Sequence, residues 1–183
     1  MTRDEALSLL HAWVTKDGLR KHALGVEAAM RAYARKYGAD ENAWGFVGLL
    51  HDFDYERYPD AENHPFRGAD HLRSLGVDET TVRAILSHAA YTGVPRENLM
   101  AKVLFAVDEL VGMITAAALV TPERKVAAVT SRSVIKKMKD KAFARSVNRD
   151  EIREGAADLG VPLEEHIDFV VAALSGVSDE LGL

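Results

Sequence analysis

The apolar residues of this chain recur at intervals of three and four positions, and strict alternation is hard to find. Spacing by three and four places side chains on one face of an α-helix, whereas alternation is typical of a half-buried strand. The pattern therefore predicts an all-α fold, in which helices pack as a single-domain bundle over residues 1–183. No internal repeat, low-complexity tract or long linker divides the chain.

Capping residues and glycines set the expected bounds of these helices. Thr2 and Glu5 have the spacing of a capping box for a first helix, which should end near residues 16–18. A second helix is expected from about Leu19 to Tyr37, with Gly38 in the position that usually ends a helix. Further helix starts are expected at Asp40, Pro65, Asp78, Asn98, Asn148 and Pro162, and the last of these helices should run on to Leu181.

Three polar residues lie on the apolar faces of predicted helices. His22 lies on the inward face of the second helix, His88 on the inward side of the fifth, and Asp108 in the apolar stretch of the sixth. A buried polar group without a partner costs ~1–3 kcal/mol, so each of these residues needs something to bind. His166 differs from them, because it falls outside the apolar stripe of the last helix.

The dipeptide His51-Asp52 ends the predicted third helix, and His64 follows it after a segment without helical period. Adjacent residues of a regular helix point about 100° apart, so both can face one ion only where the helix stops. A divalent metal ion explains an imidazole and a carboxylate at the end of an apolar run, because it offsets the cost of burying both. A shared metal site then accounts for six inward residues: His22, His51, Asp52, His64, His88 and Asp108.

Composition narrows the chemistry of such a site. The 183 residues include 48% hydrophobic and 28% charged side chains, an ordinary globular composition, and no cysteine. Disulfides, iron–sulfur clusters and thiolate zinc sites are therefore excluded, and any metal must be held by nitrogen and oxygen. No apolar run approaches the ~20 residues of a membrane span, and the first residues are acidic where a signal peptide is basic. We expect a cytoplasmic protein without a membrane partner.

Charge is unevenly distributed along the chain. Between Arg124 and Arg149, nine Lys and Arg residues accompany one acid, Asp140, so this segment carries +8 and the rest −13, for a net charge of −5. Such asymmetry indicates an anionic ligand or partner, with a solvated helix face as the alternative. Nucleic acid is not expected, because Phe143 is the only aromatic residue of the segment and the whole chain is acidic. The residues do not fix an oligomeric state.

The order of His22, His51-Asp52 and Asp108 resembles the HD superfamily of metal-dependent phosphohydrolases, and His64 and His88 match the additional histidines of its two-metal, HDIG-type branch. The similarity covers residues 18–114. The sequence Leu-Leu-His-Asp-Phe-Asp-Tyr-Glu is similar to that of small stand-alone bacterial members of the superfamily. It implies a metal-binding core over residues 18–114, at the centre of the bundle, with C-terminal helices of residues 115–183 packed on it. One departure is Asp54-Tyr55, where the HDIG pattern has Gly-Lys, so a lysine for substrate phosphate is missing.

The resemblance also implies a ligand set and a reaction. His22, His51, Asp52 and Asp108 would hold one metal, and Asp52 would bridge to a second held by His64 and His88. One or two divalent ions (Mn, Mg, Fe, Co, Ni or Zn) would activate a hydroxide that cleaves a phosphomonoester or phosphodiester of a small, nucleotide-like or other phosphorylated substrate. Basic residues at the rim would hold the rest of the anion. The candidates are Arg20, Lys136, Lys137, Lys139, Lys141 and Arg145, while Asp54 and Glu109 would orient water molecules of the metal or are solvated acids.

Two other functions fit the same residues. The ligands could hold a di-iron centre that activates oxygen, as in some relatives of this fold, and tightly held redox-active iron would then replace hydrolytic ions. A non-catalytic module, in which the metal is structural or a nucleotide is only sensed, is the third interpretation. This interpretation is excluded if the protein turns over phosphate esters and if His51→Ala or Asp52→Ala stops that turnover without loss of the fold.

Overall fold

The computed structural model describes all 183 residues, which form ten α-helices, two short 3-10 turns and no strand. The all-α, single-domain fold that the hydrophobic spacing predicts is confirmed. None of the helices combines the length and the apolar composition that crossing a membrane requires. The helices are α1 (Arg3–Trp13), α2 (Asp17–Tyr37), α3 (Glu41–Leu50), α4 (Phe66–Ser74), α5 (Glu79–Leu86), α6 (Leu99–Leu119), α7 (Ser131–Met138), α8 (Arg149–Asp158), α9 (Leu163–Ser175) and α10 (Ser178–Leu181), and the 3-10 turns are Ala90–Thr92 and Val126–Ala128.

Most helix ends lie where the capping residues predict them. The Thr2 side chain accepts a hydrogen bond from the Glu5 backbone, and the Glu5 carboxylate accepts one from the Thr2 backbone. Gly38 ends α2 with a φ of 66°, a left-handed conformation that glycine adopts without strain. Side-chain oxygens also cap α3, α5, α6 and α8, from Asp40, Asp78, Asn98 and Asn148.

Several helix bounds differ from the prediction, and α2 begins at Asp17 instead of near Leu19. The helix α1 ends at Trp13, because the backbone of Val14 is extended. Pro65 and Pro162 precede α4 and α9 as N-caps and are not the first residues of these helices. The expected last helix is two helices, because the N–H groups of Gly176 and Val177 bond to carbonyls three residues earlier and close α9 before α10 begins.

The two longest helices, α2 and α6, form the centre of the core, and glycines let their neighbours approach closely. The helix α2 packs against α3 and α6, and α6 also packs against α8. A Cβ atom at Gly25 would lie 2.8 Å from Cγ1 of Val111 on α6, and one at Gly48 would lie 2.9 Å from the Val26 carbonyl on α2. These distances leave no room for a side chain. Glycine therefore sets the close spacing of α2 with α3 and α6, and this spacing brings the candidate site residues of the three helices together.

His166 of α9 is buried, and the prediction that it lies outside the apolar stripe is wrong. Its Nε2–H donates to the Ala106 carbonyl of α6 at 2.9 Å, and its Nδ1 accepts from the Tyr33 hydroxyl of α2 at 2.6 Å. Burial lowers the pKa of His166, which favours the neutral ring that this arrangement needs. One polar side chain thus links three helices from inside the core.

Candidate metal centre

Five successive helices, α2 to α6, deliver the predicted site residues to one place. His22 lies on α2, His51 is the C-cap of α3, and Asp108 lies in the middle of α6. The other residues lie just outside helices, directly after α3, before α4 and after α5. The structure brings all six together in two groups. Within each group, the candidate ligand atoms lie within 4.8 Å of one another. The first group is His22, His51 and Asp108, and the second is Asp52, His64 and His88. Their role as metal ligands stays a prediction.

Asp108 is the centre of the first group. Its Oδ1 atom lies 3.0 Å from Nε2 of His22 and 3.3 Å from Nε2 of His51. The Nδ1–H of His51 donates to the Gly48 carbonyl at 2.8 Å, so Nε2 of the neutral ring carries a lone pair. That Nε2 atom is buried and has no hydrogen-bond partner. The first group therefore directs a buried lone pair and a carboxylate oxygen at the same point.

Asp52 lies between the two groups. Its Oδ1 atom is 3.2 Å from Nε2 of both His64 and His88, and its Oδ2 atom is 3.6 Å from Nε2 of His51. The Nδ1–H of His88 donates to the Ile85 carbonyl at 2.5 Å, so this imidazole also directs Nε2 at a carboxylate. Asp52 thus lies in the position that a bridging ligand needs, although bridging itself stays a prediction.

The carboxylates favour positive charge in both groups. Burial opposes protonation of His51 and His88, but the charges of Asp52 and Asp108 outweigh it and raise the pKa of each imidazole. The pKa of His64 is raised to about 9, because hydrogen bonds to its carboxylate partners outweigh burial. Burial opposes ionisation of Asp52 and Asp108, yet the pKa of each is lowered, chiefly by the charge of His51. The site therefore attracts cations.

These residues fit a divalent metal ion. A neutral imidazole that donates Nδ1–H to a carbonyl is the form in which histidine binds metals through Nε2, and the carbonyl fixes the orientation of the ring. Without a cation or a proton, Nε2 of His51 would face carboxylate oxygens with nothing positive between them. The donor set contains only imidazole nitrogen and carboxylate oxygen, which suits hard and borderline ions.

Glu109, next to Asp108 in α6, holds the start of α8 beside the first group. Its carboxylate accepts a hydrogen bond from the Asn148 backbone at 3.0 Å. Burial and the charge of Asp108 raise the pKa of Glu109 to about 7. The structure thus shows Glu109 bonded to the cap residue of another helix, and its predicted role in orienting water stays a prediction.

The predicted basic residues lie outside the two groups. The Arg20 guanidinium donates to the carbonyls of Val14 at 2.7 Å and His11 at 3.2 Å, where α1 ends. The Nζ atom of Lys137 lies 4.6 Å from the centre of the Phe143 ring. The remaining candidates are exposed on α7 or in the segment that follows it: Lys136, Lys139, Lys141 and Arg145. Their role in binding substrate stays a prediction.

Arg149 orders the segment that we call the basic loop, residues 139–147. Its guanidinium donates to the carbonyls of Phe143, Ala144 and Val147. The basic loop leads directly into Asn148, which Glu109 holds against α6. Three of the candidate cations therefore lie on a structured loop whose end is attached beside the first group.

The sequence did not reveal the contacts that two residues make with His64. Asp54 is fully buried and accepts a hydrogen bond from His64 Nδ1–H at 2.7 Å, so it is not a solvated acid. The Tyr91 hydroxyl donates to the His64 carbonyl at 3.0 Å, and burial together with nearby Asp52 and Asp54 raises the pKa of Tyr91 to about 12. Tyr91 lies in a 3-10 turn and carries no motif, so no sequence signal identifies it.

The helical fold and the two His–Asp groups define an all-α protein with a candidate metal centre. The profile of the HD domain family matches residues 19–113, which is more than half of the chain, and the chain belongs to this family. Most of the family are metal-dependent hydrolases. No curated protein and no solved structure gave a significant match to the chain. The expected division into a core of residues 18–114 and C-terminal helices of residues 115–183 stays a prediction.

Proposed function

We propose that the protein is a metal-dependent phosphohydrolase that cleaves a phosphomonoester or phosphodiester of a small substrate. Membership of the HD domain family supports the class of reaction. The observation that carries the proposal is the buried Nε2 atom of His51, which has no hydrogen-bond partner and lies 3.3 Å from Oδ1 of Asp108 and 3.6 Å from Oδ2 of Asp52. A cation bound there would satisfy this atom and both carboxylates.

The two groups would hold two ions, with Asp52 as a ligand of both. His22, His51 and Asp108 would bind one divalent ion together with Asp52, and His64 and His88 would bind the second together with Asp52. Bound divalent ions supply positive charge to the phosphoryl oxygens and lower the pKa of a water molecule toward neutrality. The proposed reaction therefore needs no side-chain nucleophile, in keeping with a chain that has no cysteine.

The residues of the chain hold the site in its binding geometry before substrate arrives. The carbonyls of Gly48 and Ile85 fix the rings of His51 and His88, so these imidazoles need no reorganisation to bind a cation. The cations of the basic loop would hold the part of the substrate anion that lies away from the reacting phosphorus. The attachment of Asn148 to Glu109 keeps that loop next to α6.

The test begins with elemental analysis of the purified protein, followed by phosphate release from a panel of phosphate esters with each divalent ion added back. We expect about two ions per chain and metal-dependent release. His51→Ala and Asp52→Ala should each lower kcat/KM by at least ~100-fold, because even residues that only support ligands contribute 10–100-fold. His11→Ala is the matched control, since His11 is exposed on α1. Failure of every ion to support release from any ester would contradict the proposal.

The same measurements separate the other two functions. Tightly held iron with an optical band that changes on reduction, together with oxygen uptake, would indicate oxygen chemistry at the same ligands. Stoichiometric ion binding without turnover of any ester would indicate a binding module. Phosphate release that depends on manganese, magnesium, cobalt, nickel or zinc, and that stops in both alanine variants, supports hydrolysis.

A further inference from the structure

Asp54 is fully buried beside the second group without belonging to it. The Nδ1–H of His64 donates to its Oδ1 atom at 2.7 Å, and the Gly68 backbone N–H donates to its Oδ2 atom at 2.7 Å. Gly68 lies in the first turn of α4, where backbone N–H groups have no partner within the helix. A buried carboxylate needs such donors to offset its loss of water. Both oxygens of Asp54 are therefore committed, one to a helix and one to His64.

The surroundings of Asp54 are shaped for a carboxylate. A Cβ atom at Gly68 would lie 2.9 Å from Cγ and 3.0 Å from Oδ2 of Asp54, so a side chain at this position would displace the acid. The Tyr91 hydroxyl holds the same histidine at its backbone carbonyl. His64 is thus fixed at its ring and at its main chain by residues outside the second group.

We propose that Asp54 is a positioning residue that keeps the ring proton of His64 on Nδ1 and so leaves Nε2 free to bind an ion in the second group. His51 and His88 obtain the same orientation from backbone carbonyls, whereas Nδ1 of His64 meets Asp54. The inference rests on the proposed metal-dependent function, because it assigns Asp54 a role toward a bound ion. It follows that Asp54 controls occupancy of the second group and not of the first.

Asp54→Asn tests the direction of these hydrogen bonds with almost no change in volume. The Gly68 N–H can only donate, so the oxygen of the new amide must face it, and the amide NH2 must face Nδ1 of His64. Nδ1 then has to accept, the ring proton moves to Nε2, and Nε2 can no longer bind an ion.

We expect the wild-type protein, first freed of metal, to bind two Zn²⁺ per chain in isothermal titration calorimetry. Asp54→Asn should bind one, or bind the second at least ~10-fold more weakly. Asp60→Asn is the matched control and should bind both ions, because Asp60 is exposed in the same segment and its carboxylate accepts hydrogen bonds only from Glu62 and Asn63. The substitution leaves unchanged the backbone carbonyl of Asp60, which accepts from the His64 backbone N–H. Retention of the first ion in Asp54→Asn shows that the fold persists.

A second measurement does not depend on the variant. In ¹⁵N-histidine NMR spectra of the Zn²⁺-loaded wild type, His64 should bind through Nε2 and carry a proton on Nδ1. A His64 bound through Nδ1, or two ions bound by Asp54→Asn with unchanged affinity, would overturn the inference. One outcome would separate the two proposals: the wild type binds two ions but hydrolyses no ester, and Asp54→Asn binds only one ion. That outcome supports the role of Asp54 and overturns the proposed function. A wild type that binds no Zn²⁺ overturns the role of Asp54.

Discussion

The Nε2 atom of His22 lies 3.0 Å from Oδ1 of Asp108, although 86 positions separate the two residues along the chain. The contact forms where α2 packs on α6. Three residues further along both helices, about one turn, Gly25 faces Val111 with no room for a side chain between them. The geometry of the first group therefore depends on how closely these two helices approach.

Gly25→Ala should destabilise the protein and weaken ion binding by the first group. The new Cβ atom would lie 2.8 Å from Cγ1 of Val111, which is buried and β-branched, and overpacking of this kind costs ~1–3 kcal/mol. Gly18→Ala is the control on the same helix, because a Cβ there meets no atom within 4 Å and should be neutral or stabilising. Urea unfolding of the metal-free proteins measures the stability of both variants. A free energy of unfolding of Gly25→Ala equal to that of the wild type would contradict the prediction.

Chelation of the ions should lower the Tm of the wild-type protein. An ion that binds only the folded chain, at 100 times its Kd, stabilises the fold by about 2.7 kcal/mol. Asp108→Asn removes the central carboxylate of the first group, so its Tm should respond less to chelator and its elemental analysis should show one ion fewer. Asp70→Asn, on the exposed face of α4, is the control for loss of an acid. A Tm that chelator leaves unchanged would mean that no ion stabilises the fold.

His166 should make the protein less stable at mildly acidic pH. Burial lowers its pKa in the folded state, whereas the unfolded chain takes up a proton near the ordinary value of 6.5. The stability that neutral His166 contributes is therefore complete above pH 6.5 and is lost as the pH falls toward the lowered pKa.

The free energy of unfolding of metal-free protein, measured between pH 8 and pH 5, checks this expectation. His166→Gln cannot titrate and keeps a donor for the Ala106 carbonyl, so its stability should fall less steeply with pH than that of the wild type. His11→Gln, at an exposed position, should leave the wild-type slope unchanged. Identical slopes for wild type and His166→Gln would show that His166 titrates normally in the folded protein.

Replacement of Lys141 or Arg145 of the basic loop by Glu should raise KM for an anionic substrate several-fold and change kcat little. Lys141 and Arg145 are exposed on a loop whose end is attached beside the first group, so their main expected effect is on capture of the anion. Raising the salt from 0.1 M to 1 M should shrink the effect, because the screening length falls from about 10 Å to about 3 Å. Arg132→Glu, at an exposed position of α7, is the control, and an equal rise in KM in that variant would point to net charge alone.

Helix positions could be predicted from the sequence because local chemistry determines them. The Thr2–Glu5 capping box and the left-handed Gly38 need no tertiary information, and the structure has both. The absence of cysteine likewise limited any metal site to nitrogen and oxygen before the fold was known. The proximity of His51 and Asp52 followed from the end of a single helix.

What could not be predicted depends on contacts between distant segments. His166 was expected outside the apolar face of its own helix, but its partners, Tyr33 and Ala106, lie on two other helices. Asp54 gave no sign of burial, because its second donor is a backbone N–H at the start of α4. The orientation of the basic residues could not be predicted for the same reason: Arg20 turns back to the end of α1, which spacing along its own helix does not reveal.

The order of the two groups along the chain has a consequence for how the protein acquires its ions during synthesis. Asp52, His64 and His88 all leave the ribosome before Asp108, which completes the first group only when α6 has been made and has docked on α2. Every residue of the second group precedes α6, so the first group is the later of the two to be completed. A chain interrupted before α6 would lack Asp108 and would therefore carry at most the ion of the second group.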